Sequence, residues 1–146
     1  MRLRTIALAT LVAALVPAFA VAASSGTTKL SATLTGGAET PKGAAAGKGS
    51  AAITLNGSKV CWSFTGLAGI DKPAAAHIHK GKPGTAGPVV VPFGGTFKAS
   101  GCTTAPAGVV KAIVASPGSY YVNVHTAKFP AGAVRGQLKA STGYNY

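Results

Sequence analysis

SAAITLNGSKVCWSFTGL, residues 50–67, decides the fold class. Two strand-like runs flank Asn56-Gly57, a pair that supplies positive φ for a tight hairpin turn. On the second arm Val60, Trp62 and Phe64 share one face and Cys61 takes the other, because side chains alternate along a strand. The same period extends outward in both directions. LSATLTG (30–36) sets Leu30, Ala32 and Leu34 against Ser31, Thr33 and Thr35, a strand with one buried face. PKGAAAGKGS (41–50) is a Gly- and Ala-rich stretch that reads as a loop. AAAHIH (74–79) is a short strand ending at the punctuated loop KGKPGTAGP. VVVPFG and GTFKASGC supply two further short strands or edges, and Pro92 suits an edge, where no ladder donor is missed.

The period changes once. In PAGVVKAIVASPG (106–118), Val109, Val110, Ile113 and Val114 fall at helical spacing, with Pro106 near the start and Pro117-Gly118 as the stop. That predicts one short helix near 107–115, with a β-branched strand as the rival. SYYVNVHT (119–126) returns to strand, with Val122 and Val124 on one face and Tyr121, Asn123 and His125 on the other. A turn through KFPAG leads into AVRGQLKA, where Val134 and Leu138 oppose Arg135 and Gln137. Many short alternating strands with frequent Gly and Pro make an all-β, antiparallel sandwich or barrel.

The chain has 146 residues, a length suited to one domain. Residues 1–23 read as a signal peptide. Arg2 and Arg4 form a charged start, Ile6 to Val16 is a short apolar run broken by Pro17, and Ala20-Val21-Ala22 fits a small-residue cleavage site. The run is short for a bilayer span. This places the mature protein outside the cytoplasm, secreted or periplasmic, with no membrane span. A flexible leader (24–28) precedes a domain over 29–140, and 141–146 form a C-terminal tail.

The formal charge is +12, from fourteen basic and two acidic residues. Removing Arg2 and Arg4 leaves +10, opposed only by Glu39 and Asp71. The excess is scattered singly, without a basic run or helix. It favours loose, salt-sensitive attraction to acidic polymers, or serves solubility. Export argues against nucleic acid as a partner. Cys61 and Cys102 are the two cysteines, and in an oxidising compartment they read as one disulfide. Closing that loop stabilises by about 4 kcal/mol. Neither Cys has a neighbour that would activate a thiolate.

All three histidines lie on the non-core face of their strands. Ile78 is the inward member of HIH, so His77 and His79 share the opposite side, and His125 stands opposite Val122 and Val124. If those strands are neighbours, the imidazoles converge, with Arg135, Gln137 and Asn123 on the same side. Three readings follow. Three neutral imidazoles suit copper or zinc and leave one coordination position open. Lys80, Lys82 and Arg135 form a cationic setting with no carboxylate near, which suits an anion held by Arg135 and protonated His. The third reading is a hydrogen-bonded polar cluster that ties loops to the sheet. No Ser/His/Asp set can be assembled from two acids, and nothing brings Glu39 and Asp71 together as a glycosidase pair, so a non-enzymatic protein is expected.

SATLTGGAETP, AAAHIHKGKPGTAGPVVVPF and SPGSYYVNVHTAKFPAGAVRGQL resemble, in that order, the CHRD domain named for chordin. The likeness covers nearly all of residues 29–139. It implies an extracytoplasmic all-β domain, immunoglobulin-like, with limited similarity to copper/zinc superoxide dismutases, and no established biochemical role. The family usually has Glu in G-E-I-R-G-Q; here Ala133 stands at that place. HIH is similar to the H-x-H copper pair of the dismutases, with His125 as a third ligand. There is no fourth His to bridge to zinc and no Asp cluster, so a full dismutase site does not fit, and a copper-only site is the version the likeness leaves open. The expectations are therefore a secreted interaction or structural module with an unknown extracytoplasmic partner, a mononuclear copper or zinc binder, or an electrostatic binder of acidic envelope polymers.

Overall fold

The computed structural model describes residues 26–141. The segment read as a signal peptide (1–23), the first two residues of the expected leader and all but the first residue of the expected tail lie outside them. The described chain is an antiparallel sheet of nine strands that curls into a nearly closed barrel with one short helix. The strands are β1 (Thr28–Thr35), β2 (Lys48–Asn56), β3 (Lys59–Ala68), β4 (Pro73–Lys80), β5 (Val89–Pro92), β6 (Ser100–Thr104), β7 (Tyr120–Thr126), β8 (Val134–Gln137) and β9 (Lys139–Ala140). They run across the sheet in the order β5-β4-β7-β8-β1-β2-β3-β6, with β9 also on β1. The helix, α1 (Ala107–Ala115), follows β6. Thr28, placed in the leader by the sequence, is already paired with Leu55 in β1.

The hairpin of residues 50–67 forms as β2 and β3, but its turn is one residue later than expected. Asn56 pairs with Lys59, so Gly57 and Ser58 are the loop. Of these two loop residues Gly57 alone has positive φ, at 58°. A glycine first in a two-residue loop matches the strand twist without demanding a second left-handed residue. Asn56 stays extended.

Alternation fills the interior. Val60, Trp62 and Phe64 are buried on β3, as are Leu30, Ala32 and Leu34 on β1 and Val122 and Val124 on β7. Val110 and Ile113 anchor α1 to the same core. Trp62 stacks on Phe93, centroids 4.3 Å apart, and its Nε1–H donates to Lys98 O at 2.9 Å. The segment between β5 and β6 nearly closes the barrel. Phe93 and Phe97 N–H donate to Ala76 and Ala74 O on the β4 side, and Ala99 O accepts from Phe64 N on the β3 side. Pro92 lies in β5, at the end of the strand order. Cys61 and Cys102 face each other across β3 and β6 and form the disulfide.

Candidate metal centre

β4 and β7 are adjacent antiparallel strands, and this neighbourhood brings the histidines together. In their register His77 lies opposite Asn123, His79 opposite Tyr121 and Ala75 opposite His125. All three imidazoles leave the same face of the sheet, as the period-2 reading required. Ring centroids are 5.6 Å apart for His77 and His79, 4.8 Å for His77 and His125 and 6.0 Å for His79 and His125. One ring nitrogen from each lies within 4.8 Å of the other two.

The hydrogen bonds fix which nitrogen each ring offers. A backbone carbonyl can only accept, so His79 Nδ1–H donates to Gly87 O at 2.8 Å and His125 Nδ1–H donates to Pro130 O at 2.9 Å. In the neutral rings Nε2 then carries the lone pair. His125 Nε2 stands 3.0 Å from His77 Nδ1. His79 Nε2 is buried and has no hydrogen-bond partner. Burial first, then the neighbouring His125 and His79, push His77 down to about 4. Burial also pushes His79 below the usual range, against the bond to Gly87, which raises it. Both rings are neutral at pH 7. His79 keeps its Nε2 lone pair free, whereas His77 Nδ1–H donates to His125 Nε2 in the metal-free protein, and a metal on those two nitrogens would displace that proton to His77 Nε2.

The surroundings add to one expectation and correct another. The non-core face opposite the β7 valines is itself buried: Tyr121 and Asn123 are 3% and 1% exposed. The loop after β4 folds back over it, and Arg135 lies beneath that loop. The face is also not free of carboxylates. Glu39, which follows the turn Gly36–Ala38, is buried beside the Asn123 side chain and close enough to Arg135 to feel its charge. Its carboxyl rests on Gly132, where a Cβ would fall on the carboxyl atoms. Burial dominates over Arg135, Asn123 and the Thr40 N–H, and raises Glu39 from 4.5 to about 7.

Arg135 is 1% exposed and turns its donors to the protein itself. Nη1 donates to Thr85 O at 3.0 Å, and Nη2 donates to Lys82 O at 3.1 Å and Gln137 Oε1 at 3.4 Å. Its guanidinium lies 3.5 Å from the centre of the Tyr121 ring, whose ring also stacks on His79 at 4.9 Å. Gln137 Nε2 donates to Gly81 O and Gly118 O. Lys80 and Lys82 are exposed. Sequence reasoning singled out Arg135, Gln137 and Asn123 but missed Glu39, Tyr121 and the two carbonyls that orient the rings. Tyr121 was placed on the histidine face, yet nothing in a tyrosine marks it as a stacking partner. A backbone carbonyl has no signature at all.

The model of the CHRD domain matches residues 30–138. No curated protein and no solved structure matches the chain. No helix among the described residues is long and apolar enough to cross a membrane.

Proposed function

The chain belongs to the CHRD domain family, and we propose that it is an exported module that holds one copper or zinc ion on His77 Nδ1, His79 Nε2 and His125 Nε2. The observation that carries this reading is the lone pair of His79 Nε2, buried among the other two rings and making no hydrogen bond, with the Asn123 side chain as its polar neighbour. Leaving a buried acceptor empty costs about 1–3 kcal/mol, and a cluster that merely tied loops to the sheet would not require it. The fit of the donor set supports the same reading. Two rings donate their far N–H to backbone carbonyls, the arrangement that orients metal-ligating imidazoles and raises their basicity. The set is three imidazole nitrogens without a thiolate or carboxylate, suited to copper or zinc, and it leaves room for a further ligand. A metal held there would supply Lewis acidity, or with copper one-electron chemistry. The protein contributes the orientation of His79 and His125, held through Gly87 O and Pro130 O, in a partly buried setting. An anion held by Arg135 is less well supported, because three of the guanidinium's hydrogen bonds end on Thr85, Lys82 and Gln137. Export rests on residues 1–23 and agrees with the disulfide, which suits an oxidising compartment.

The test is metal content of the oxidised protein after incubation with Cu(II) or Zn(II) and removal of the excess. One equivalent is expected, lost in His125→Ala and in His79→Gln. Retention of no metal by the wild type, or of equal metal by the variants, would refute the site. Binding to an acidic polymer that vanishes between low and moderate salt in all of these proteins alike would favour the dispersed lysines instead.

A further inference from the structure

We infer that Arg135, Gln137 and Tyr121 are positioning residues for His79, acting through the loop 81–88; this rests on the three-histidine reading. The loop leaves β4 immediately after the HIH pair and returns as β5. Its ends are joined by Lys80 N–H donating to Pro88 O at 3.0 Å, and Lys82 O accepts from Thr85 N within it. It carries no apolar side chain large enough to hold it down, and Pro83, Gly84 and Thr85 are exposed. Polar bonds from below hold it instead. Gln137 Nε2 donates to Gly81 O at 2.6 Å, and Arg135 donates to Lys82 O at 3.1 Å and Thr85 O at 3.0 Å. Tyr121 Oη accepts from Gly87 N at 3.2 Å. The chain of contacts ends on the ligand, because Gly87 O accepts the Nδ1–H of His79 at 2.8 Å.

A second route reaches the same ring. Arg135, Tyr121 and His79 form one stack, with the guanidinium 3.5 Å from the tyrosine centroid and the tyrosine 4.9 Å from the imidazole at an interplanar angle of 9°. Loop and stack together fix both the rotation of the His79 ring and the nitrogen that keeps its proton. Gly87 is required at the hinge of this arrangement, since a Cβ there would collide with the Lys80 carbonyl oxygen. The planar fork of Arg135 reaches two carbonyls at once, which a lysine cannot reproduce. Loss of such an outer partner weakens metal binding by about 10–100-fold in comparable sites.

The experiment uses Arg135→Lys and Tyr121→Phe in the full oxidised chain, with two readouts. One is affinity for Cu(II) and for Zn(II) by competition with a chelator. The other is the His79 tautomer in the metal-free protein, from long-range nitrogen NMR of the imidazoles. Arg135→Lys is expected to bind about tenfold or more weakly and to lose the single Nδ1–H form of His79. Tyr121→Phe, which keeps the stack and removes only the hydroxyl, should weaken binding by less. Wild-type affinity with an unchanged His79 tautomer in both variants overturns the inference. Should Arg135→Lys not fold, the same unchanged result in Tyr121→Phe overturns it. If the wild type retains no metal while the tautomer still shifts in the variants, the metal reading fails and the positioning role stands.

Discussion

Replacing Glu39 by Gln tests whether burial or the Arg135 charge governs that carboxyl. Glu39 is 4% exposed, and burial lifts it from 4.5 to about 7 against the pull of Arg135, Asn123 and Thr40. A folded-state value above the unfolded one means that the folded protein holds a proton which the unfolded chain releases between those two values. The associated stability is therefore fully present below about 4.5 and is lost as pH rises through about 7. At about 1.4 kcal/mol per unit the loss amounts to about 3 kcal/mol. Gln mimics the neutral acid in shape and cannot ionise. Wild type and Glu39→Gln should thus be nearly equal in stability at pH 4.5, and the variant should be more stable by about 3 kcal/mol at pH 8. Urea denaturation of both proteins across that range provides the difference. The histidines act in the opposite sense: with His77 and His79 depressed, stability falls as pH drops below their ordinary value of 6.5. That effect is common to both proteins, so the difference isolates Glu39. A constant difference from pH 4.5 to 8, or a variant less stable than wild type at pH 8, would show that the ionised carboxylate is welcome beside Arg135 and would refute the reasoning.

Gly87→Ala should force the Lys80 and Gly87 backbones apart, costing about 1–3 kcal/mol, and should weaken metal binding together with stability; denaturation and chelator competition on the same sample check this. Cys61→Ser with Cys102→Ser removes a link between residues 41 apart and should lower stability by about 4 kcal/mol, measured by urea denaturation, with the histidine cluster still assembled because it sits on β4 and β7. Ile78→Ala removes a side chain with no exposed surface, directly between the two histidines of β4. It should cost about 2–5 kcal/mol in the thermal or urea midpoint.

The alternation of short strands is legible because each has one apolar face, and the rule that sides alternate sets all three histidines on the non-core face, whereas their convergence depends on the pairing of β4 with β7. The same rule could not tell what covers that face. His125, Asn123 and Tyr121 were assigned correctly to one side of β7, but that side is buried beneath a loop whose side chains say nothing of where it lies. The hairpin shows a similar limit. Asn56-Gly57 marks a turn correctly, yet Asn56 and Ser58 both tolerate the neighbourhood of Gly57, and cross-strand register decided which one joined the loop. Glu39 was invisible for another reason. It lies almost a hundred residues from Arg135 in the chain, on a loop without period, and only the pairing of β1 with β8 brings the two regions together.

The charge of the chain divides between two jobs, and this division separates the readings. Among the described residues Arg135 is the one basic side chain in the buried set, and it is spent on the loop, on Tyr121 and on the field at Glu39. Lys80, Lys82, Lys42 and Lys128 are exposed and free to meet an acidic polymer without touching the imidazoles. Removing exposed lysines should therefore weaken salt-sensitive adhesion and spare metal retention, whereas changing Arg135 should do the reverse. A chain in which both properties fell together would mean that one surface serves both, and that the loop 81–88, which carries Lys82 on its outer side and holds His79 through Gly87, is where they meet.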